Sequence, residues 1–114
     1  MRERRSFRLY LEEIVDSMDK IERYMNDQSY HDFIQDEKLI DAVERNLEKI
    51  GEAAACLPDD LRNKNPDVPW KSMIGLRNIV IHHYFGVDRE IIYQIAARNI
   101  PDTKPKIERI LGSI

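Results

Sequence analysis

The chain has 114 residues, of which 42% are hydrophobic and 34% are charged. This length and composition predict one soluble domain, residues 1–114, with enough apolar side chains to form a core. The net charge of −3 at pH 7 excludes a generic polyanion binder, so any contact with nucleic acid has to come from a local basic patch.

The sequence carries no signal for a membrane or an oxidising compartment. Its single cysteine, Cys56, excludes an internal disulfide. No apolar run approaches the roughly 18 residues that a membrane span needs, and the charged N-terminus does not read as a signal peptide. We therefore expect a cytoplasmic protein that makes no use of a membrane.

The first half of the chain shows strong helical periodicity. Apolar residues at three- and four-residue steps predict a long helix over residues 4–26. Ser29 is placed to cap a short helix that follows. Over residues 37–57 the steps form a heptad seam, which is suited to packing against another helix. Gly51 lies inside that seam and favours the close approach of a neighbouring helix.

Shorter elements follow the seam. Residues 58–61 begin a short helix, and residues 65–69 read as a turn rich in proline. Pro69 suits the first turn of a helix that runs on through Arg77. We expect that helix to be continuous.

The C-terminal part completes an all-helical chain. Asp88 is placed to cap a helix, and residues 99–102 are predicted to interrupt the chain before a last helical segment. No segment shows the alternation of a strand. Together the elements predict an all-α, up-and-down bundle of four main helices with short extra helices. Several apolar seams on so small a chain also favour a homodimer.

Arg77 is the most unusual residue of this pattern. On an ideal helix, at about 100° per residue, it lies at the centre of an apolar face. The members of that face are Trp70, Met73, Ile74, Val80, Ile81 and Tyr84. A charge in such a place costs on the order of several kcal/mol unless it is paired or faces a polar cleft. Two interpretations stay open: a functional cation, or an ion pair with an acid of the seam (Glu44, Glu48 or Glu52).

Beside this face lies a second stripe with Asn78 and His82. Together with these two residues, Arg77 supplies a guanidinium fork for phosphate, His82 a group that exchanges protons near neutral pH, and Tyr84 a phenol. Taken singly, each residue also has a structural interpretation. His82 is then a cation near the C-terminal end of the helix dipole, and Tyr84 is an aromatic residue of the core. His82 lies about 140° around an ideal helix from Arg77, so one copy cannot bring both to one small group. A cleft on the two-fold axis of a homodimer removes this difficulty.

Metal chemistry is poorly supported. The histidines are His31, His82 and His83, and neither His-x-x-x-His nor Cys-x-x-Cys spacing occurs. The acidic residues are expected on solvent-facing sides. We therefore expect no metal and no cofactor.

Two small clusters of basic residues remain as candidates for contact with nucleic acid, although clusters of this size are more often plain solvated surface. Their members are Arg2, Arg4, Arg5 and Arg8 in one, and Arg62, Lys64 and Lys71 in the other.

The stretch Arg77-Asn78-Ile79-Val80-Ile81-His82-His83-Tyr84 resembles the Arg-x4-His-x-Tyr form of the HEPN superfamily motif. The resemblance extends along essentially the whole chain to HepT-like proteins, the toxin half of a prokaryotic toxin–antitoxin pair. Its supporting segments are residues 46–53, 68–70 and 84–88. It implies an α-helical homodimer with a composite cleft and the activity of a metal-independent endoribonuclease.

The resemblance also implies roles for single residues. Arg77 and His82 correspond to the catalytic pair, and Asn78 to their usual polar companion. A ribose 2′-hydroxyl would attack the adjacent phosphate, with proton transfer by His82 and stabilisation of the phosphorane by Arg77. His83 satisfies the looser motif as well, but the His-x-Tyr spacing selects His82.

A partner follows from the same resemblance. It is an MntA-like minimal nucleotidyltransferase, the antitoxin, which neutralises such toxins by AMP transfer to the motif tyrosine, here Tyr84. A second interpretation comes from a different class of protein: a non-catalytic helical module whose cleft binds a nucleotide or the nucleotidyltransferase. Only RNA turnover separates the two interpretations.

Overall fold

A computed structural model describes the backbone of residues 2–83 and 88–114 and the side chains of residues 7–81 and 88–114. Within these ranges the chain is helical and has no strand, which confirms the all-α expectation. The helices are α1 (Arg2–Met25), α2 (Tyr30–Gln35), α3 (Glu37–Ala55), α4 (Asp59–Lys64), α5 (Trp70–Ile74), α6 (Leu76–His83), α7 (Arg89–Gln94) and α8 (Ile100–Ser113). A π-helical turn, Ile95–Asn99, joins α7 to α8.

The core is built on the contact between α1 and α3, against which α8 and the α5–α6 pair also pack. The apolar stripes that the sequence predicted on the first two helices are buried there. Their fully buried members include Leu11, Ile14, Met18 and Ile21 of α1 and Val43, Leu47 and Ile50 of α3. The four main helical bodies are therefore α1, α3, α5–α6 and α7–α8, as the bundle expectation requires.

Local capping explains several helix starts. The Ser29 hydroxyl accepts a hydrogen bond from the Asp32 backbone N–H at 3.0 Å, and the Asp32 carboxylate accepts one from the Ser29 N–H. Asp88 accepts from the Glu90 N–H at 2.9 Å and so begins α7. Both caps confirm the sequence prediction, because each depends only on residues within one turn.

The expectation of one continuous helix through Arg77 is wrong. The helix ends at Ile74, passes through Gly75 and begins again at Leu76. The junction is a tight turn in which the Asn78 N–H donates to the Gly75 carbonyl at 3.0 Å, a three-residue step. The Gly75 N–H still donates to the Lys71 carbonyl at 3.0 Å, and the Ile79 N–H to the Gly75 carbonyl at 3.2 Å, so four-residue steps cross the junction and the interruption is confined to Gly75.

Gly51 of α3 packs directly against that junction. A Cβ atom placed on Gly51 would lie 3.2 Å from the Arg77 backbone nitrogen and 3.2 Å from the Met73 carbonyl oxygen. The close approach of a neighbouring helix at Gly51, which the sequence predicted, is therefore confirmed. The glycine brings two backbones together where a side chain would hold them apart.

The predicted interruption at residues 99–102 is also wrong. The chain continues from α7 into α8 through the π-helical turn, where the Ile100 N–H donates to the Ile95 carbonyl. Pro101 falls in the first turn of α8. A proline lacks an N–H and crowds the carbonyl four residues back, so a break was expected. The wider turn absorbs that effect within a continuous helical path.

Candidate functional site

Helix α6 has one solvent-facing side and one core-facing side. Arg77 and Asn78 are exposed, and Ile81 on the same side is 44% exposed. Leu76 and Val80, four residues apart and hence on one face, are only 6% and 4% exposed. The solvent-facing side of α6 therefore displays an arginine, an amide and an isoleucine.

The expectation that Arg77 lies at the centre of a buried apolar face is wrong. Trp70 and Met73 do face the core, but the buried side of the helical path runs beside Arg77 and is not centred on it. Leu76 and Val80 take over the core-facing positions of α6. The charge consequently remains in water and incurs no burial cost.

The Arg77 guanidinium is exposed and takes part in none of the ion pairs identified among the described side chains. An ion pair with Glu48 or Glu52 is therefore not seen among the described residues, and the alternative of a pair with Glu44 stays a prediction. The planar guanidinium keeps five N–H donors, arranged as a fork that matches a phosphate. Since the Arg77 backbone is held against Gly51, a fixed scaffold presents this fork to solvent.

Glu44 is buried, an environment that the sequence analysis considered only as part of an ion pair with Arg77. Acidic side chains were expected in solvent, yet Glu44 is 5% exposed. It lies seven residues before Gly51, which places it on the side of α3 that faces the α5–α6 pair. Its position between Ile40 and Leu47, inside the apolar seam, was the available signal. A buried carboxylate thus lies on the helix that supports the arginine.

Three predicted site residues lie outside the described side chains. The backbone of α6 is described through His83, but the side chains of His82 and His83 and the whole of Tyr84 are not. Their assigned roles stay predictions.

The members of the two predicted basic clusters have different surroundings in the structure. The side chains of Arg2, Arg4 and Arg5 lie outside the described residues, and Arg8 pairs with Glu12 at 2.9 Å. In the second cluster, Arg62 and Lys71 line one cavity, and Lys64 lines another. Of the predicted basic clusters, only the pair Arg62 and Lys71 shares a described cavity.

Among the described residues, no three His, Cys, Asp or Glu side chains are grouped so that they could hold a metal ion. No described helix combines the length and the apolar character needed to cross a bilayer.

An all-α bundle whose sequence carries an Arg-x4-His-x-Tyr motif, with its arginine exposed, defines a HEPN-like protein. The family described as Ribonuclease HepT-like matches residues 14–110, and the chain belongs to this family. No solved structure matches the chain significantly.

Relatives in archaea and bacteria span nearly the whole chain. A Methanocaldococcus jannaschii protein whose name proposes an RNase is 42% identical over 111 residues, which cover 97% of this chain and 92% of that protein. The "Probable ribonuclease HepT" of Thermococcus cleftensis is 37% identical over 107 residues, covering 94% and 97% of the two chains. A Caldanaerobacter subterraneus protein, also named for a proposed RNase, is 38% identical over 104 residues, covering 91% and 93%.

Proposed function

We propose that this chain is the endoribonuclease toxin of a type VII-like toxin–antitoxin pair and that it cleaves RNA without a metal ion. The observation that supports the proposal best is the exposed guanidinium of Arg77 on α6, next to the exposed Asn78. The family and the names of its relatives favour RNA as the substrate. Both toxin and antitoxin would act in the cytoplasm.

The proposed reaction is an internal transesterification. The ribose 2′-oxygen attacks the adjacent phosphorus, a new bond between them forms, and the bond to the 5′-oxygen breaks. The proton of the 2′-hydroxyl is removed and the leaving 5′-oxygen gains one, with His82 as general acid or base. Arg77 stabilises the charge of the phosphorane through its N–H donors. Asn78, exposed beside Arg77, would hold a non-bridging oxygen or a ribose hydroxyl.

The cleft would lie between two copies of the chain. Next to Arg77, Ile81 is 44% exposed, and Ile91 of α7 is 45% exposed. Ile91 lines a mostly apolar groove of about 340 Å³, to which Leu76, Ile79 and Ile95 also contribute. Burial of this surface against a second copy would remove apolar area from water. It would also bring the Arg77 and His82 side chains of the second copy into the same cleft.

The antitoxin would be an MntA-like nucleotidyltransferase that uses Tyr84 as its acceptor. The Tyr84 oxygen would attack the α-phosphorus of ATP, so that a phosphodiester forms and pyrophosphate leaves. The added nucleotide would block RNA by its bulk and its negative charge. We expect co-expression with the partner to add the mass of one AMP unit to the peptide that contains Tyr84. A Tyr84→Phe variant that still gains this mass would contradict the assignment.

RNA cleavage by the purified protein tests the proposal. We expect cleavage in the presence of EDTA, and its loss in the Arg77→Ala and His82→Ala variants. Because Arg77 is exposed, its replacement should change the free energy of unfolding by no more than about 0.5 kcal/mol. Arg23→Ala, at an exposed position at the end of α1, serves as the matched control and should cleave normally.

Two results would contradict the proposal. One is activity that disappears on chelation. The other is activity that survives both the Arg77 and the His82 substitutions. Tight binding of the nucleotidyltransferase without any RNA turnover would favour the non-catalytic module instead.

A further inference from the structure

A second candidate site adjoins the α5–α6 pair. It is a cavity of about 620 Å³ between α4, the turn at residues 65–69 and α5. Ligand sites in proteins commonly span about 300–1,000 Å³. The proposed mechanism does not use this cavity. Its wall includes Ile74, which precedes Arg77 by three residues, or about one helical turn.

Two cations line the cavity. Lys71 is exposed, and no described carboxylate pairs with it. Arg62 pairs with Asp59 across one turn of α4, and its side chain is 26% exposed while that of Asp59 is 84% exposed. An ion pair this open to water contributes about 1 kcal/mol or less. The guanidinium can therefore exchange the carboxylate for a phosphate at little cost.

The rest of the lining complements a nucleotide. Asn63 and Ser72 are exposed polar side chains that can hydrogen-bond ribose hydroxyls or base edges. Pro66 and Pro69 offer flat apolar surface against which a base or a ribose can pack. Single-stranded RNA is recognised through this combination, with phosphates on cations and unstacked bases on apolar side chains.

The cavity is formed before any ligand arrives. The Trp70 indole N–H donates to the Asn65 carbonyl at 2.9 Å, and the Trp70 backbone N–H donates to the Val68 carbonyl at 2.8 Å. Asp67 is tied to Arg109 of α8 at 2.6 Å. The turn that forms one wall is thus fixed to the bundle, and little ordering would oppose binding.

We propose that this cavity is a nucleotide subsite, which takes one nucleotide of a bound single-stranded RNA with its phosphate on Lys71 and Arg62. Lys71 and Arg77 are six residues apart, about 9 Å along a helix axis. One RNA strand can therefore reach both with phosphates of nearby nucleotides. The subsite rests on the proposed function in that the strand it holds is the one cleaved at Arg77.

The test measures binding apart from cleavage. The probe is a fluorescent single-stranded oligonucleotide with 2′-O-methyl riboses, which lack the attacking hydroxyl. We expect Lys71→Ala to raise its Kd about three- to tenfold and to reduce the slope of log K against log salt concentration by about 0.7. Asp59→Asn should lower the Kd by about two- to threefold, since it frees Arg62.

The control variants make the same charge changes on the other side of α4. Lys64→Ala and Asp60→Asn alter residues that line a different cavity, so both should leave the Kd within about twofold of the unaltered protein. Equal effects of Lys64→Ala and Lys71→Ala would indicate diffuse attraction and overturn the subsite. So would a complete lack of binding by the unaltered protein. Binding that depends on Lys71, in a protein that cleaves no RNA, would support the subsite and contradict the ribonuclease instead.

Discussion

Gly51 shows how a residue without a side chain can position a candidate functional residue, here Arg77. In a helix interior, alanine is usually favoured over glycine by about 1 kcal/mol. At Gly51 a Cβ would meet the Arg77 nitrogen and the Met73 carbonyl oxygen at 3.2 Å, both of them backbone atoms. We expect Gly51→Ala to lower the free energy of unfolding by about 1–3 kcal/mol, because the two helices must separate. Urea denaturation measures this change.

Gly112 provides the control for that substitution. It also lies in a helix, α8, but a Cβ there would meet no atom within 4 Å. We expect Gly112→Ala to be neutral or stabilising by up to about 1 kcal/mol. If Gly51→Ala were as favourable as Gly112→Ala, the close packing of α3 on the α5–α6 junction would be refuted.

At this scale the sequence singled out Arg77 as a candidate site residue but predicted its environment wrongly. Arg77 was identified by its residue type, its neighbours and its motif. Its burial was wrongly predicted, because the apolar face was centred on Arg77, whereas the buried residues Met73, Leu76 and Val80 lie to one side of it. The burial of Glu44 was considered only as part of an ion pair with Arg77. A carboxylate is expected in solvent, and only the packing of α3 against its neighbours shows that its side is covered.

Among the elements, the turn at residues 65–69 depends on α8. The hydrogen bond from Arg109 holds the pKa of the Asp67 carboxyl below its usual range. Because the pKa of Asp67 is lower in the folded than in the unfolded state, its pair with Arg109 stabilises the folded protein at pH values above the unfolded pKa, about 3.9. That contribution is lost as the pH falls through the folded pKa.

The dependence of stability on the protonation of Asp67 leads to a prediction for the Asp67→Asn variant. At neutral pH the variant should unfold at a lower urea concentration than the unaltered protein, because the pair with Arg109 is lost. Below pH 4 or so the difference should shrink, since protonation removes the same pair from the unaltered protein. Unfolding midpoints measured at several pH values test this. A difference that stays constant from neutral to acidic pH would show that the ion pair is not its source.

Elements were predictable where their signals are local. Ser29 and Asp88 begin helices through hydrogen bonds within one turn, so the residue types sufficed. Residues 99–102 were not predictable in the same way. Pro101 favours a break in isolation, but Ala96 and Ile100 are buried in the core, and their burial keeps the chain helical through a wider turn. Tertiary packing decided that case.

For the whole molecule, the spacing of apolar residues was enough to predict an all-α bundle, because each helix has to bury one stripe. Quaternary structure is not encoded so plainly. The same spacing that builds a core also produces exposed apolar positions such as Ile81 and Ile91, and sequence alone does not say whether these meet a second copy. The homodimer therefore remains a prediction.

Ile91→Asp tests that prediction at the surface proposed for the contact. Because Ile91 is 45% exposed, its replacement should cost the monomer little stability. In a dimer interface, the buried carboxylate would be strongly unfavourable. Sedimentation should therefore show a dimer for the unaltered protein and a monomer without RNase activity for the variant. Leu9→Asp, at a position 58% exposed on α1, is the control and should remain dimeric.

The most direct test of the composite cleft is to mix two inactive variants. Arg77→Ala and His82→Ala homodimers are combined, allowed to exchange subunits and assayed for RNA cleavage. If Arg77 of one copy acts with His82 of the other, each mixed dimer has one intact site. Random exchange should then restore about a quarter of the unaltered activity. A mixture that forms mixed dimers yet stays inactive would contradict a site shared between two copies.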